Sequence, residues 1–393
     1  MPANSLSFNQ IATILNSIVT QATGQAQITP VNGADFVTVA QTGLLAGYDN
    51  LMGAISQVLS RTLIANRPYY RKFQGLEASE LRWGNHVRKI NYVDRAWQPS
   101  GRLPLTTGVS VDDQKPVVDE VLQTNFYGQN DYELPYTLFS NQVDTAFHNP
   151  EEFALFIAGK LQNLSDMREQ KHEALARATI ANLVTGILTI GNTNQVIHLL
   201  TEYNAATGMN PPLTAITVRQ PANYPAFIKW VYARLASLSA ILTERSQIFH
   251  QNVTGKPVQR HTPYADQRVY LYAPDRYSIE ARVLADTFHD NYLRYGYTET
   301  VNFWQDINTP DTINNTPVYM KADGSLDSPA AAVTQANVFG IIMDMEAAGY
   351  TVVNERTTKA AYNGEGEYQN FWFKFTDRYW NDFTENAVIL LLD

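Results

Sequence analysis

The seven histidines are scattered: His86, His148, His172, His198, His250, His261 and His289. No two stand at i, i+3 or i, i+4, the spacings that put two imidazoles on one helical face to hold a metal. His172-Glu173 has no second histidine after it, and His250 and His261 flank a Gly-Lys-Pro turn. Phosphate cradling fails similarly. Gly255-Lys256 runs into Pro257, without the upstream glycine or the following hydroxyl that a phosphate loop needs. No Gly-x-Ser-x-Gly nucleophile elbow occurs. Asp323-Gly324-Ser325-Leu326-Asp327 hints at a calcium loop but lacks the later bidentate glutamate. Asn363-Gly364-Glu365-Gly366 reads as a hairpin connection. Asp112-Asp113, or Glu365 with Glu367, are too close in sequence to oppose carboxylates across a sugar. Cysteine is absent, which removes thiol nucleophiles, thiolate metal sites and disulfides. The catalytic, cofactor-binding and metal sets are read as empty, and the chain as non-enzymatic.

Aromatic residues remain: 22 Tyr, 17 Phe and 6 Trp, with Phe371-Trp372-Phe373 and Tyr379-Trp380 the densest groups. They could form a sugar- or base-stacking platform. With no basic groove around them, core and subunit-interface roles are the better reading, because Tyr and Trp are favoured at both.

Composition sets the class. A chain of 393 residues with 45% hydrophobic and 17% charged residues is globular and longer than one core usually supports. The net charge of −9 disfavours tight non-specific DNA binding and suits a protein that merely encloses DNA; ordinary acidic solubility explains it equally well. The N-terminal residues lack a basic region followed by an apolar run, so no secretory signal is expected. No run approaches the length of a membrane span, so none is expected either.

The elements that would position any site are unusual in shape. Asn149 is a good N-cap, Pro150 suits the first helical position, and Glu151 and Glu152 favour the positive end of the dipole. Phe153, Phe156, Ile157, Leu161, Leu164, Met167 and Leu175 follow at helical spacing, predicting one rod from Asn149 to about Gly186, roughly 55 Å long. Ahead of it, residues 1–47 look like an arm. Ser7 and Gln10 are spaced as a capping box, and Ile11, Ile14, Leu15, Ile18 and Val19 form one apolar stripe, whose helix stops near Gly24. Gln25 to Gly47 reads as a polar connection. The stripe must be buried on its own body or on a neighbouring copy, and both remain open.

A second helix is predicted from about Tyr48 to Ala65. Val87–Val93 and Val117–Leu122 are strand-like, and Asp94 to Pro116 between them is rich in Pro and Gly. Loops of that length inside compact domains are usually functional. Neither strand alternates cleanly, so the pair resembles a projecting ribbon whose partner lies outside the subunit. Asn192 to Pro212 reads as a loop-rich connection and Tyr224 to Leu242 as an amphipathic helix. The strand Arg268–Tyr272, a helix opened by Pro274-Asp275 with Ile279, Val283 and Leu284, and a strand at Thr300–Trp304 suggest an α/β unit. Thr309 to Ala331 is turn-rich. Strands are expected at Phe339–Met343, Thr351–Asn354, Phe371–Phe375 and Ala387–Leu392.

Several strings carry a family resemblance. Gly47-Tyr48-Asp49-Asn50, Gln57-Val58-Leu59-Ser60-Arg61-Thr62, Arg67-Pro68-Tyr69-Tyr70, Trp83-Gly84-Asn85-His86-Val87-Arg88-Lys89 and Gln123-Thr124-Asn125-Phe126-Tyr127-Gly128 are of this kind. So are Tyr270-Leu271-Tyr272-Ala273-Pro274-Asp275 and Phe373 to Val388. The chain resembles major capsid proteins of tailed bacteriophages with the Hong Kong 97-like fold, those of small podoviruses of Gram-positive hosts in particular. The resemblance implies an α+β fold with an N-terminal arm (1–47) and a helix leading into the peripheral domain (48–81). An extended β-hairpin loop (82–128) follows, then the peripheral domain with its long spine helix (129–191), an axial domain (192–336) and C-terminal strands completing the core (337–393).

It further implies hexamers and pentamers closing into an icosahedral shell around double-stranded DNA without sequence-specific binding. A portal, a separate scaffolding protein, a place in the virion capsid, assembly in the host cytoplasm, and no membrane or cofactor are also implied. Covalent Lys–Asn crosslinking in one branch of the family cannot be assigned to Lys89 or Lys115. An encapsulin-like protein nanocompartment shares the fold and is the alternative, with a carbohydrate-binding adhesin or enzyme behind it.

Overall fold

The computed structural model describes residues 8–25, 29–30, 33–61, 69–78, 87–95, 97, 114, 116–147, 150–281 and 297–393. Several sequence expectations fall outside these residues: Asn149 as an N-cap, Ser7 in a capping box, Asp112-Asp113 and Lys115 in a loop, Val283 and Leu284 in a helix, and His86, His148 and His289.

The chain opens with three helices, α1 (Phe8–Thr23), α2 (Gly33–Leu45) and α3 (Tyr48–Arg61). The stripe Ile11, Leu15, Ile18 and Val19 is buried within its own subunit, against Phe36, Val39 and Ala40 of α2 and Leu51, Met52 and Ile55 of α3. The expected polar connection over Gln25–Gly47 is therefore largely a helix. Its threonines satisfy themselves on the helix backbone, Thr38 Oγ1 donating to the Ala34 carbonyl (3.0 Å) and Thr42 Oγ1 to that of Thr38 (3.0 Å). Gly43 lets α2 come close: a Cβ there would stand 3.0 Å from Val19 and 3.4 Å from Leu51.

Strands β1 (Val87–Tyr92) and β2 (Val121–Phe126) form a separate two-stranded ribbon, and β3 (Gln129–Phe139) continues from it. Helix α4 (Ser140–Phe147) then leads into α5 (Pro150–Ile190), the 41-residue spine, roughly 60 Å long at 1.5 Å per residue. The spine has no single apolar stripe because it meets different layers along its length. Phe153 lies in the core of α1–α4, while Leu175, Ile180, Leu183, Val184 and Ile187 lie in another. Between them Arg168 packs on Phe375 and Lys171 on Tyr132. The stretch Gln162–Ile190 is apolar and long enough to cross a bilayer, but 67% of its most apolar window is buried inside the subunit.

After the spine come β4 (Val196–His198), α6 (Leu199–Thr207), α7 (Ala215–Val218) and α8 (Tyr224–Ile241). The expected loop over Asn192–Pro212 thus contains a helix. Leu199, Leu200 and Tyr203 bury one side of it and Gly208 at φ +64 ends it. Then follow β5 (Gln267–Tyr272), α9 (Ala273–Ile279) and β6 (Tyr297–Val301), and the short strands β7 (Ile313–Asn315), β8 (Tyr319–Met320), β9 (Leu326–Asp327) and β10 (Val333–Gln335). The chain closes with β11 (Val338–Asp344), β12 (Ala348–Lys359), β13 (Tyr368–Asn381) and β14 (Ala387–Leu391).

Two sheets organise the rest. One has the order β4-β14-β11-β5-β6, with parallel β14/β4 and β5/β6 pairs; the other is antiparallel β12-β13-β3. The first sheet is covered on both faces. Ile341, Met343, Ile389 and Leu391 point to the spine, while Phe339, Ile342, Val388 and Leu390 point to α6 and α8. That explains the unbroken apolar string Ala387–Leu392: a strand covered on both faces does not alternate. The second sheet turns Phe371 and Phe373 inward, so the densest aromatic group is largely core. Strand β3 had no counterpart in the sequence reading. The C-terminal strand of the ribbon lies at 121–126, not 117–122; Val93 N donates to the Glu120 carbonyl (3.0 Å) and fixes this register.

Candidate assembly surface

The ribbon stands outside the apolar cores of the fold. Its register pairs Tyr92 with Val121, Ile90 with Gln123 and Arg88 with Asn125. None of the three apolar cores includes a residue of β1 or β2. It meets the body at Gly128, whose carbonyl accepts from Tyr379 N at 3.2 Å. A Cβ on Gly128 would collide with the Tyr379 carbonyl, so only glycine permits this approach.

One face of the ribbon, with Val87, Lys89, Asn91, Leu122, Thr124 and Phe126, is half-buried towards the body, and its polar side chains are engaged there. Lys89 Nζ stands 2.7 Å from Glu346 Oε2 and 3.1 Å from Asp382 Oδ2, and pairs with Glu385 Oε1. Arg260 Nη1 donates to Asn91 Oδ1 at 3.0 Å while its Nη2 pairs with Glu385 at 3.1 Å. Past the end of β1, Asp94 pairs with Arg245 at 2.8 Å, accepts from Gln259 N and donates its own N–H to the Pro257 carbonyl at 3.2 Å. Burial works against the Lys89 cation, but the carboxylates of Asp382 and Glu385 outweigh it and hold its pKa above the usual lysine range. Glu385 goes the other way. Burial pushes its carboxyl up to about 7, against the pull of Lys89 and Arg260.

That shift fixes a pH dependence. A carboxyl whose folded pKa is raised holds its proton longer when folded, so its contribution to stability is present below about 4.5 and lost as pH rises through about 7. The loss amounts to up to about 3 kcal/mol, at ~1.4 kcal/mol per pKa unit. Glu385→Gln removes the slope: relative to wild type, the variant gains stability between pH 5 and pH 8 in urea unfolding of unassembled subunits. A wild-type-to-variant difference that stays flat over that window would rule the assignment out.

The other face of the ribbon is open and carries Ile90, Tyr92 and Val121 beside Arg88, Gln123 and Asn125. Ile90 is 48%, Tyr92 69% and Val121 40% exposed, and beyond the ribbon's end Trp97, Val117 and Val118 are exposed as well. Large apolar side chains grouped on an exposed face of this kind suit an interaction site. Beside the ribbon lies a cleft of about 660 Å³, bounded by Leu122 and Thr124 of the ribbon, Thr179 and Asn182 of the spine, and Val318 and Tyr379.

The sequence-flagged chemical groups are structural. His172 is fully buried between the spine and β13, its Nε2 3.6 Å from Asp377 Oδ2. His250 is buried and faces the Val258 carbonyl at 2.8 Å and Asn386 at 3.2 Å; burial lowers its pKa. His198 pairs with Asp393 at 2.6 Å. Gly255-Lys256 is a tight turn with Gly255 at φ +78, and Lys256 Nζ reaches towards the Val121 carbonyl. Asp323 caps a surface hairpin by accepting from Ser325 N at 2.8 Å. Asn363 does the same for Gly366 N at 2.9 Å. Among the described residues, no group of three or more His, Cys, Asp or Glu could hold a metal ion. Sequence reasoning missed the Lys89 cluster. Its only local signal is a lysine in a β-ribbon between exposed residues.

Comparison with known proteins agrees with this architecture. A family model described as Phi29-like phage major capsid protein matches residues 15–391. A chain from the capsid structure of Staphylococcus phage Andhra is 10% identical, with 84% of this chain and 87% of that chain aligned at a TM-score of 0.58. A chain from the structure of the head fibre and inner core protein of native bacteriophage P68 is also 10% identical, with the same coverage and a TM-score of 0.53. At such identity the likeness is one of fold. No curated protein matches the chain.

Proposed function

The chain belongs to the Phi29-like phage major capsid protein family, and from that premise we propose how it builds its shell. It is a structural protein of the virion capsid with the Hong Kong 97-like α+β fold, and it self-assembles. We infer that its copies form hexamers and pentamers of an icosahedral shell enclosing double-stranded DNA. A portal and a separate scaffolding protein would take part, and assembly would occur in the host cytoplasm. The chain would carry no catalysis. The parts divide as arm, extended loop, peripheral domain with the spine, and axial domain, with the ribbon and its loop clasping the neighbouring copy.

The observation that carries this reading is the ribbon itself: a two-stranded element outside the three apolar cores, tied to its own body by ion pairs and exposing Ile90, Tyr92 and Val121 on the side away from it. An isolated hairpin is marginal in water, and a heterologous contact repeated by symmetry closes into rings. The modest net charge of −9 fits an enclosing wall rather than a DNA-binding surface.

Deleting residues 96–114 and closing the gap with a short turn is expected to leave a folded, assembly-defective subunit. The ribbon ends are tied below the deletion, where Arg95 pairs with Asp119 at 2.7 Å. Sizing and electron microscopy check this, and particles of normal size from the deletion would defeat the clasp. Purification of wild-type shells with a cargo enzyme in place of DNA would favour a nanocompartment.

A further inference from the structure

We infer that Lys89 is an ionic latch: it holds the ribbon against its own subunit in the carboxylate nest of Glu346, Asp382 and Glu385, and so presets the direction in which the outward face, with Ile90, Tyr92 and Val121, meets a neighbouring copy. The inference rests on the ribbon being the intersubunit element and adds how its orientation is controlled.

The argument is one of what is present and what is not. Docked elements elsewhere in this chain are held by apolar burial, as α1 is by Ile11, Leu15, Ile18 and Val19. The ribbon has no share in any apolar core. Its polar holds are Lys89, the Asn91–Arg260 bond, the Lys256 approach to Val121 and the Asp94 contacts just beyond. Of these, Lys89 pairs with the most carboxylates and the deepest ones. Its side chain is 18% exposed, those of Asp382 and Glu385 1% and 7%. Glu346, at 61%, closes the nest from the solvent side.

The nest is also prebuilt. Asp382 Oδ1 accepts from Thr384 N (2.9 Å) and Thr384 Oγ1 (2.6 Å), and Glu346 N donates to Asp344 Oδ1 (2.9 Å). These carboxylates are fixed by the turn after β13 and the turn between β11 and β12, in the body itself. Without the lysine, Arg260 would still pair with Glu385, while Asp382 and Glu346 would lose the cation the nest gives them. Removing one partner of a buried ion pair leaves the other uncompensated, which drives the ribbon out as the nest takes up water.

The consequence for assembly is a population effect. A contact made only by the docked ribbon has its apparent affinity reduced by the docked fraction. A latched ribbon therefore lowers the concentration at which shells form, with no residue of the latch touching the neighbour.

The chain has no cysteine, so spin labels on cysteines placed at the exposed positions Gln123 and Glu244 report ribbon docking in the full unassembled chain. The latch gives one narrow distance in wild type and in Lys89→Arg. In Lys89→Met the docked fraction falls at least about tenfold, and the critical concentration for shell formation rises in step. Glu346→Gln, a change at the nest's exposed lip, gives a smaller shift in the same direction and covers the case in which Lys89→Met misfolds. A narrow, wild-type distance in both variants overturns the latch, and so does an undocked ribbon with an unchanged critical concentration. Failure of wild type to form shells at all would instead count against the assembly reading.

Discussion

Replacing Ile90 and Tyr92 together by aspartate yields a soluble, folded subunit that forms no particles at concentrations where the wild-type chain does. Both side chains point away from the body on β1, at 48% and 69% exposure, and neither belongs to an apolar core. Substitutions at such positions typically change subunit stability by no more than about 0.5 kcal/mol. On the proposed clasp, the same residues become buried against a neighbour. Each forfeits about 1.5–3 kcal/mol of burial and forces a carboxylate out of water. The contact recurs at every subunit, so a loss that would merely weaken a dimer removes the closed lattice. Negative-stain microscopy reads the particles, and the thermal transition of the unassembled chain reads the fold. Shells of wild-type size from this variant would show that the outward face is not an interface.

The same residues mark where sequence reading succeeds and where it stops. The spine was legible because caps, acidic first turn and helical spacing agree over some 40 residues, and the structure has α5 at Pro150–Ile190. The string Ala387–Leu392 was legible as a strand because nothing but burial on both faces sustains six apolar residues in succession. Helix α2 was missed because Thr38, Thr42 and Gly43 read as loop chemistry; tertiary contact with Val19 and Leu51 overrides that local preference. Strand β3 was missed because Pro135 interrupts it. It is an edge strand, and proline is tolerated there.

The latch was out of reach for a different reason. Lys89 and Glu385 are 296 positions apart, and no local periodicity records a pairing of that separation. The ribbon's two-sidedness was half legible. Its lack of clean alternation pointed to a partner outside the subunit, but the strands do have an inward side, on which Lys89 and Asn91 engage the body. Chain-distant charge pairing is therefore what converts a loosely specified hairpin into an oriented one.

Arg177→Met carries the largest expected cost to the subunit itself, about 3–5 kcal/mol at pH 7. Its guanidinium donates to Glu173 Oε1 from Nε (3.0 Å) and Nη2 (2.7 Å), donates to the Phe303 carbonyl, and lies 3.8 Å from the Phe303 ring centroid. Glu173 is buried and also accepts from Tyr69 OH and from Lys72 N at 3.1 Å. The network pins residues 69–77, ahead of the ribbon, onto the spine. Burial alone would push the Glu173 carboxyl up, but its bonds to Tyr69, Arg177 and Lys72 outweigh that and hold it below the usual range. A depressed carboxyl stabilises the fold above its unfolded pKa and loses that contribution as pH falls through the folded value. In Arg177→Met the carboxylate keeps its burial and loses its cation, so the sign reverses and acid relieves it. Urea unfolding of unassembled subunits should therefore show a wild-type-to-variant gap that is widest near pH 7 and narrows towards pH 4. Adding Glu173→Gln to Arg177→Met should recover most of the loss at pH 7, because no uncompensated charge is then left inside. A gap that stays constant with pH, or a double variant no better than the single, would mean that Arg177 acts by packing on Phe73 and Phe303 rather than by charge.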